Sequence, residues 1–355
     1  MRIAQVAPLR ERVPPPSYGG IELVVSHLTD ELVRRGHEVT LFASGDSLTD
    51  ANLEAVCEKA LRLDPNVSNY DAYELLELSQ VYQQAAEFDL IHSHLGVLTL
   101  ASAGLVRTPT IHTLHNSFNP DTAKIYTHHY KQPYVSISDA QRKIDLNYIG
   151  TVYNGINESS YPFIVEPENP PYLAFLGRFS PEKGPHHAIS IAKQSGWRLK
   201  MAGKIDEVDA KFFEQEIAPH IDGKQIQYLG EVTHDEKAEL LGNAVITLFP
   251  ITWQEPFGLV MIESMATGTP VIATKMGSVP EVVNHGVTGF ICQSHEEMAS
   301  MIPEALKLSR YSCRKYVEER FTVSKMVDGY EALYRKIIEN RIQKNGFIHS
   351  GKITY

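Results

Sequence analysis

Two glutamates eight positions apart, Glu255 and Glu263, bracket the stretch EPFGLVMIE, which is otherwise apolar apart from a proline and a glycine. A carboxylate at each end of a segment that wants burial can accept hydrogen bonds from hydroxyl groups. The run VITLFPITWQ reads as a strand passing into a loop, and GLVMIESMATG as a helix ending at Gly268. The helix then starts near Gly258, where its first N–H groups lack partners and its dipole favours an anion. Gly258 lets a ligand approach the backbone. Eight residues at a helical rise of about 1.5 Å separate the carboxylates by roughly 12 Å, the reach of a diphosphate with a sugar on each side. Taken alone, the segment fits equally well a dipole-favoured helix start at Glu255 and a solvated face at Glu263.

Three further features carry chemistry. In LGRFSPEKG, Arg178 leaves a strand end and Lys183 follows in the loop, a planar fork and a movable point charge for phosphate oxygens. Alone, they also read as two surface cations. In SYGGIELVV, Gly19 and Gly20 open a helix and allow close approach of a phosphate or sugar, or simply make a tight turn. The spacing is not G-x-G-x-x-G, which argues against a nicotinamide site. In IHTLHNSF, His115 sits at a strand end and can reach a sugar hydroxyl or pack in the core, while His112 reads as a packed strand residue. His92 and His94 share one strand face with no third ligand in view, so they do not read as a metal site.

The elements that must position these groups alternate. With 355 residues and about 150 per domain, two domains are expected. A hydrophobic content of 43% suits sizeable cores, and a net charge of -10 speaks against nucleic acid and anionic membrane surfaces. Three scattered cysteines read as free thiols in a reducing compartment. No apolar run approaches the roughly 20 residues of a membrane span, and the start lacks a signal-peptide pattern, which places the protein in the cytoplasm.

Strands are expected at 2–9, 37–44, 88–94, 109–115 and 133–138, with a helix over 21–36 and an acidic, partly helical insertion at 46–87. A shift to Asn, Gly, Ser and Pro over 151–171 marks a linker. A second series follows, with strands at 172–178, 198–203, 226–230, 244–250 and 270–274 and helices near 185–195, 207–219, 234–243, 258–267 and 295–307. An amphipathic helix is expected over 323–342, followed by a poorly ordered tail. Two such series predict two doubly wound α/β domains, which bind ligands at the carboxyl ends of their strands.

Taken together, the features are far more specific than any one of them. With VSISDAQRK, NGIN, YLGEV, GTPVIAT and GVTGFI, the pattern resembles the retaining glycosyltransferases of family 4, which have the GT-B architecture. The resemblance implies an acceptor-binding Rossmann-like domain over 1–155, a nucleotide-sugar-binding one over 156–322, and a C-terminal helix crossing back to the first. It implies that Arg178 and Lys183 bind the donor diphosphate and that Glu263 holds its ribose. Glu255, with Phe257, Gly258 and Leu259, contacts the transferred sugar. Val232 flanks the base, and Gly19, Gly20 and His115 approach from the first domain.

The implied activity is transfer of a hexose from a nucleotide sugar, by default a UDP-sugar, with retention and without a cofactor or metal. The acceptor is unassigned, and the partners are donor and acceptor alone. A binding protein without turnover and a sugar-nucleotide epimerase of similar architecture are the alternatives. Ser278 departs from the family, where many members have a second glycine after the one matching Gly277.

Overall fold

The computed structural model describes residues 1–350 apart from Tyr18, with side chains as far as Arg341. Two parallel sheets form the frame. The first holds β1 (Arg2–Val6), β2 (Glu38–Phe42), β3 (Asn52–Glu54), β4 (Leu90–Ser93), β5 (Thr110–Leu114), β6 (Tyr134–Ser136) and β7 (Tyr148–Thr151), in the order β3-β2-β1-β4-β5-β6-β7. The second holds β8 (Tyr172–Leu176), β9 (Arg198–Ala202), β10 (Ile226–Tyr228), β11 (Ile246–Phe249), β12 (Val271–Thr274) and β13 (Gly289–Cys292), in the order β10-β9-β8-β11-β12-β13. Strands buried on both faces read as near-continuous apolar runs, as in Tyr172–Leu176 and Val271–Thr274. In each sheet the order reverses beside the first strand, between β1 and β4 and between β8 and β11. These switch points open crevices at the carboxyl ends of the strands.

The strands β3, β7 and β13 lie outside the sequence expectation, and each sits at a sheet edge. The acidic insertion supplies β3 and the helix Tyr70–Gln83, and it buries Glu74 and Glu77. The expected helix at 207–219 is a series of short turns, including a wide one over Phe213–Ile217. Pro219 explains the break, because its ring crowds the carbonyl four residues back and it has no N–H to give. The charged helix Arg310–Arg320 was not read from the sequence. Its Arg314 reaches the carbonyls of Glu158, Tyr161 and Ala266 at 2.9, 2.7 and 2.9 Å.

The last helix runs Val323–Ser350, beyond the expected end at 342, and residues 351–355 lie outside the described residues. It returns to the first sheet. Met326, Val327, Tyr330 and Tyr334 bury against Ile3, Val24, Leu28 and Leu90. Arg35 holds Asp328 at 2.7 Å, and His37 pairs with Glu331 at 2.7 Å. The two passages of the chain between the sheets run side by side: Ile156 N–H donates to Phe321 O at 2.9 Å, and Val323 N–H donates to Ile156 O at 3.0 Å. This close approach requires Gly155, where a Cβ would stand 2.3 Å from Thr322 O and 2.9 Å from Val323 N. Gly155→Ala is expected to destabilise the fold by about 1–3 kcal/mol through this backbone clash, measured by chemical denaturation. Wild-type stability would show that the passages are not tightly apposed.

Candidate active site

The two crevices face one another across a cleft of about 410 Å³. From the first sheet come the loop after β1, the start of the helix Gly20–Arg34, and His115 just past β5. From the second come Arg178 after β8, the turn Pro181–Lys183, Val232, and the loop from β11 into the helix Leu259–Ala266. All eleven residues singled out in the sequence line this cleft: Gly19, Gly20, His115, Arg178, Lys183, Val232, Glu255, Phe257, Gly258, Leu259 and Glu263.

Glu255 and Glu263 both leave water, at 7% and 4% exposure, so the solvated-face reading of Glu263 fails. Gly258 caps the helix with φ 80, a left-handed conformation that glycine adopts without strain. Glu255 lies in the loop four residues before the first helical residue, so the pair does not span one continuous helix. Glu255 Oε2 accepts from Lys183 Nζ at 2.6 Å and from the Trp253 indole N–H at 3.0 Å. Lys183 Nζ also lies 4.7 Å from the Trp253 ring centroid. Lys183 is mostly buried, at 18% side-chain exposure, rather than on an open loop. Arg178 donates to Glu182 at 2.9 Å and to Asp206 at 3.3 Å. Glu263 Oε1 accepts from Lys237 Nζ at 2.5 Å and from Tyr161 Oη–H at 2.8 Å.

Ser278 fits its place. Its N–H donates to Glu255 O at 3.0 Å and its hydroxyl donates to Phe257 O at 2.8 Å, with φ at -76. No second glycine is needed there. The loop is held through Ser278 in the geometry that presents Glu255.

The sequence reading missed Glu22, Lys204 and Lys237, which also line the cleft. Glu22 lies two residues past the glycine pair, in the first turn of its helix, and Lys237 lies on the first turns of a capped helix, His234–Gly242. A residue adjoining a glycine-opened helix start was the available signal for Glu22. Lys237 gives no such signal, since its helix reads as an ordinary solvated one. Among the described residues, no three histidine, cysteine, aspartate or glutamate side chains are grouped to hold a metal ion. No described helix is long and apolar enough to cross a membrane.

Residues 158–320 match the family model described as glycosyl transferases group 1, and residues 18–159 match that for glycosyltransferase family 4. The chain is a family 4 glycosyltransferase of the GT-B fold. N-acetyl-alpha-D-glucosaminyl L-malate synthase of Bacillus anthracis is 26% identical over 94% of this chain and 97% of its own length. The crystal structure of AviGT4, a glycosyltransferase involved in avilamycin A biosynthesis, superposes with a TM-score of 0.73 at 24% identity, covering 96% of this chain and 98% of that one. HepE from Anabaena in complex with UDP-glucose superposes with a TM-score of 0.73 at 18% identity, over 95% of this chain and 99% of that one.

Two cleft groups of this glycosyltransferase are shifted by burial. Desolvation pushes Glu22 up to about 7 and His115 down to about 4. A carboxyl whose folded value is raised stabilises the fold fully below its ordinary value of 4.5, and that contribution is lost as pH rises towards 7. Glu22→Gln removes the ionisation while keeping the shape. It is expected to raise stability at pH 8 by on the order of 2 kcal/mol and to change it little at pH 5. Thermal unfolding at the two pH values checks this, and an equal effect at both would remove the buried ionisation.

Proposed function

We propose that this glycosyltransferase moves a hexose from a nucleotide sugar, a UDP-sugar first among them, to an acceptor hydroxyl with the anomeric configuration kept. One observation carries the reading: two buried carboxylates and a set of cations from different strand ends meet at facing switch points of two sheets. HepE, of the same fold, is seen with UDP-glucose, which supports a UDP-sugar as donor. In this reading residues 156–322 hold the donor. Residues 1–155 with the crossing helix hold the acceptor. Three free cysteines accord with a cytoplasmic setting.

The bond between the anomeric carbon and the diphosphate oxygen breaks while a bond to the acceptor oxygen forms on the same face. The acceptor's proton passes to the departing phosphate oxygen, so no separate general base is needed. What the protein supplies is stabilisation of the charge that develops on the leaving group. Lys183, Arg178 and the N–H groups that follow Gly258 supply it. Glu263 accepts from the ribose hydroxyls, and Glu255 accepts from the sugar. His115, held neutral by burial, offers an uncharged ring to a sugar hydroxyl.

The test is a donor screen. A ligand at 100 times its dissociation constant adds roughly 2.7 kcal/mol to folded stability, so UDP-, GDP- and ADP-sugars can be ranked by thermal shift. The chosen donor is then assayed for transfer in excess EDTA, with the linkage read by NMR. The cations of the cleft do the work that a divalent ion held by a D-x-D pair does elsewhere, and the sequence contains no such pair. Transfer is therefore expected to persist in EDTA with a retained linkage. Activity that only Mg²⁺ or Mn²⁺ restores would refute the metal-free mechanism, and an inverted product would refute retention.

Lys183→Ala is expected to lower turnover by about a hundredfold, the scale of removing one donor from a preorganised charge-stabilising site. It also leaves Glu255 without its partner, so a loss of stability accompanies it. Steady-state kinetics on the folded variant measure the first effect, and wild-type turnover would take Lys183 out of the reaction.

A further inference from the structure

Beneath His115 runs a line of hydrogen bonds that no donor contact requires. His115 Nε2 lies 2.8 Å from His94 Nδ1, and His94 Nε2 lies 3.1 Å from Gln5 Oε1. Gln5 Nε2 lies 3.2 Å from Tyr334 Oη, which lies 2.6 Å from His92 Nδ1. His92 Nε2 then lies 2.7 Å from Thr113 Oγ1, itself 3.0 Å from Tyr330 Oη. The line leaves the cleft at the end of β5, passes the ends of β4 and β1, and reaches the crossing helix. Gln5, His92, His94, Thr113, Tyr330 and Tyr334 are all buried.

Burial drives His92 and His94 well below the ordinary histidine value and His115 down to about 4, so the three rings are neutral near pH 7. A neutral imidazole donates from one nitrogen and accepts at the other. That rule propagates along the line. The Gln5 carbonyl oxygen only accepts, so His94 carries its proton on Nε2 and accepts at Nδ1. His115 must then carry its proton on Nε2, which leaves its Nδ1 bare. In the other direction Gln5 Nε2–H donates to Tyr334, Tyr334 donates to His92 Nδ1, and His92 Nε2–H donates to Thr113. Every donor points away from the cleft. Turning the Gln5 amide over would reverse all of these bonds and make His115 Nδ1 a donor. One reversed member alone would leave a buried polar pair unmatched at a cost of about 1–3 kcal/mol, so the line switches as a unit.

We propose that Gln5 is a positioning residue: its carbonyl oxygen faces His94 while its amide N–H donates to Tyr334 on the crossing helix, and this orientation holds His115 in the Nε2–H tautomer and presents Nδ1 to the cleft as a hydrogen-bond acceptor. The group it accepts from is a hydroxyl of the bound sugar, and this identity alone rests on the sugar-transfer reading. The tautomer is a property of the folded chain with or without a donor.

The experiment is long-range ¹H–¹⁵N correlation on the full chain labelled at histidine, with His115 assigned by its loss in His115→Ala. In the wild type, His115 is expected to show a protonated Nε2 and a bare Nδ1, and an Nδ1–H tautomer or an imidazolium overturns the proposal. Gln5→Leu removes the amide. The second tautomer is expected to appear at His115 while His112, outside the line, keeps its signals, and kcat/KM is expected to fall about tenfold. A folded Gln5→Leu protein with wild-type His115 signals overturns the role of Gln5. If that variant does not fold, the same comparison is made in Tyr334→Phe, which takes away the acceptor of the Gln5 amide, and unchanged His115 signals there overturn the proposal. The expected tautomer in a protein that transfers no sugar would sustain the positioning role and reject the sugar-transfer reading.

Discussion

The contact between Lys183 and Glu255 organises the cleft. It joins the loop after β8 to the loop after β11, the two strands flanking the switch point of the second sheet. Both side chains are largely out of water, at 18% and 9% exposure. A buried ion pair roughly breaks even against its desolvation, so its value lies in geometry more than in stability. Trp253 fixes that geometry by donating to the same carboxylate oxygen while its ring lies beside the ammonium group. The second pair, Lys237 with Glu263, repeats the device one helix away, with Tyr161 in the place of Trp253. Glu255 and Glu263 are thus each oriented by a lysine before any ligand arrives. In the proposed reaction a diphosphate competes for the lysine, and the carboxylate it releases turns to a hydroxyl. The free site is preorganised by exchangeable partners rather than left as unpaired buried charge.

Much of this frame was legible in the sequence because it rests on local rules. Central strands such as Val271–Thr274 are buried on both faces and read as apolar runs. The strand-loop-helix passage around Gly258 marks the start of its helix through residue types alone. What was not legible has a physical reason in each case. The strands β3, β7 and β13 are edge strands of three or four residues, too short for any pattern and broken by Asn or Gly. The helix Arg310–Arg320 buries only Cys313 and Val317, so it shows no apolar stripe. Its work is done by Arg310 and Arg314, whose guanidinium groups reach main-chain carbonyls from three different segments. Such contacts leave no periodicity to read.

The site divides along the same line. Glu255, Glu263, Arg178 and Lys183 were visible because their spacing from glycine and strand ends is fixed along the chain. Their partners were not. Lys237 meets Glu263 across 26 positions, and His92 meets Tyr334 across 242. Sequence patterns report what one segment does, whereas these contacts report what the topology brings together.

That topology also explains why a helix from the far end of the chain bears on the first sheet's chemistry. The chain passes between the sheets twice, and the two passages are stitched together at Ile156 and Thr322. The helix that follows Thr322 therefore packs with the first sheet, and its Tyr330 and Tyr334 lie under the ends of β4 and β5. The cleft is spanned elsewhere by contacts that involve few groups. Glu281 accepts from the N–H groups of Asp139 and Ala140 at 2.8 and 2.7 Å, and Ser117 donates to Gln254 O at 2.8 Å. These can open without disturbing either core, whereas the line from His115 to Tyr334 lies wholly on one side of the cleft. If the two halves move apart to admit a ligand, the charged groups of the second sheet separate from His115, but the polarity of His115 does not change. The fold thus keeps apart two demands on the site: an opening of the cleft would break only the few contacts across it, and the hydrogen bonds that set the state of His115 lie within one half.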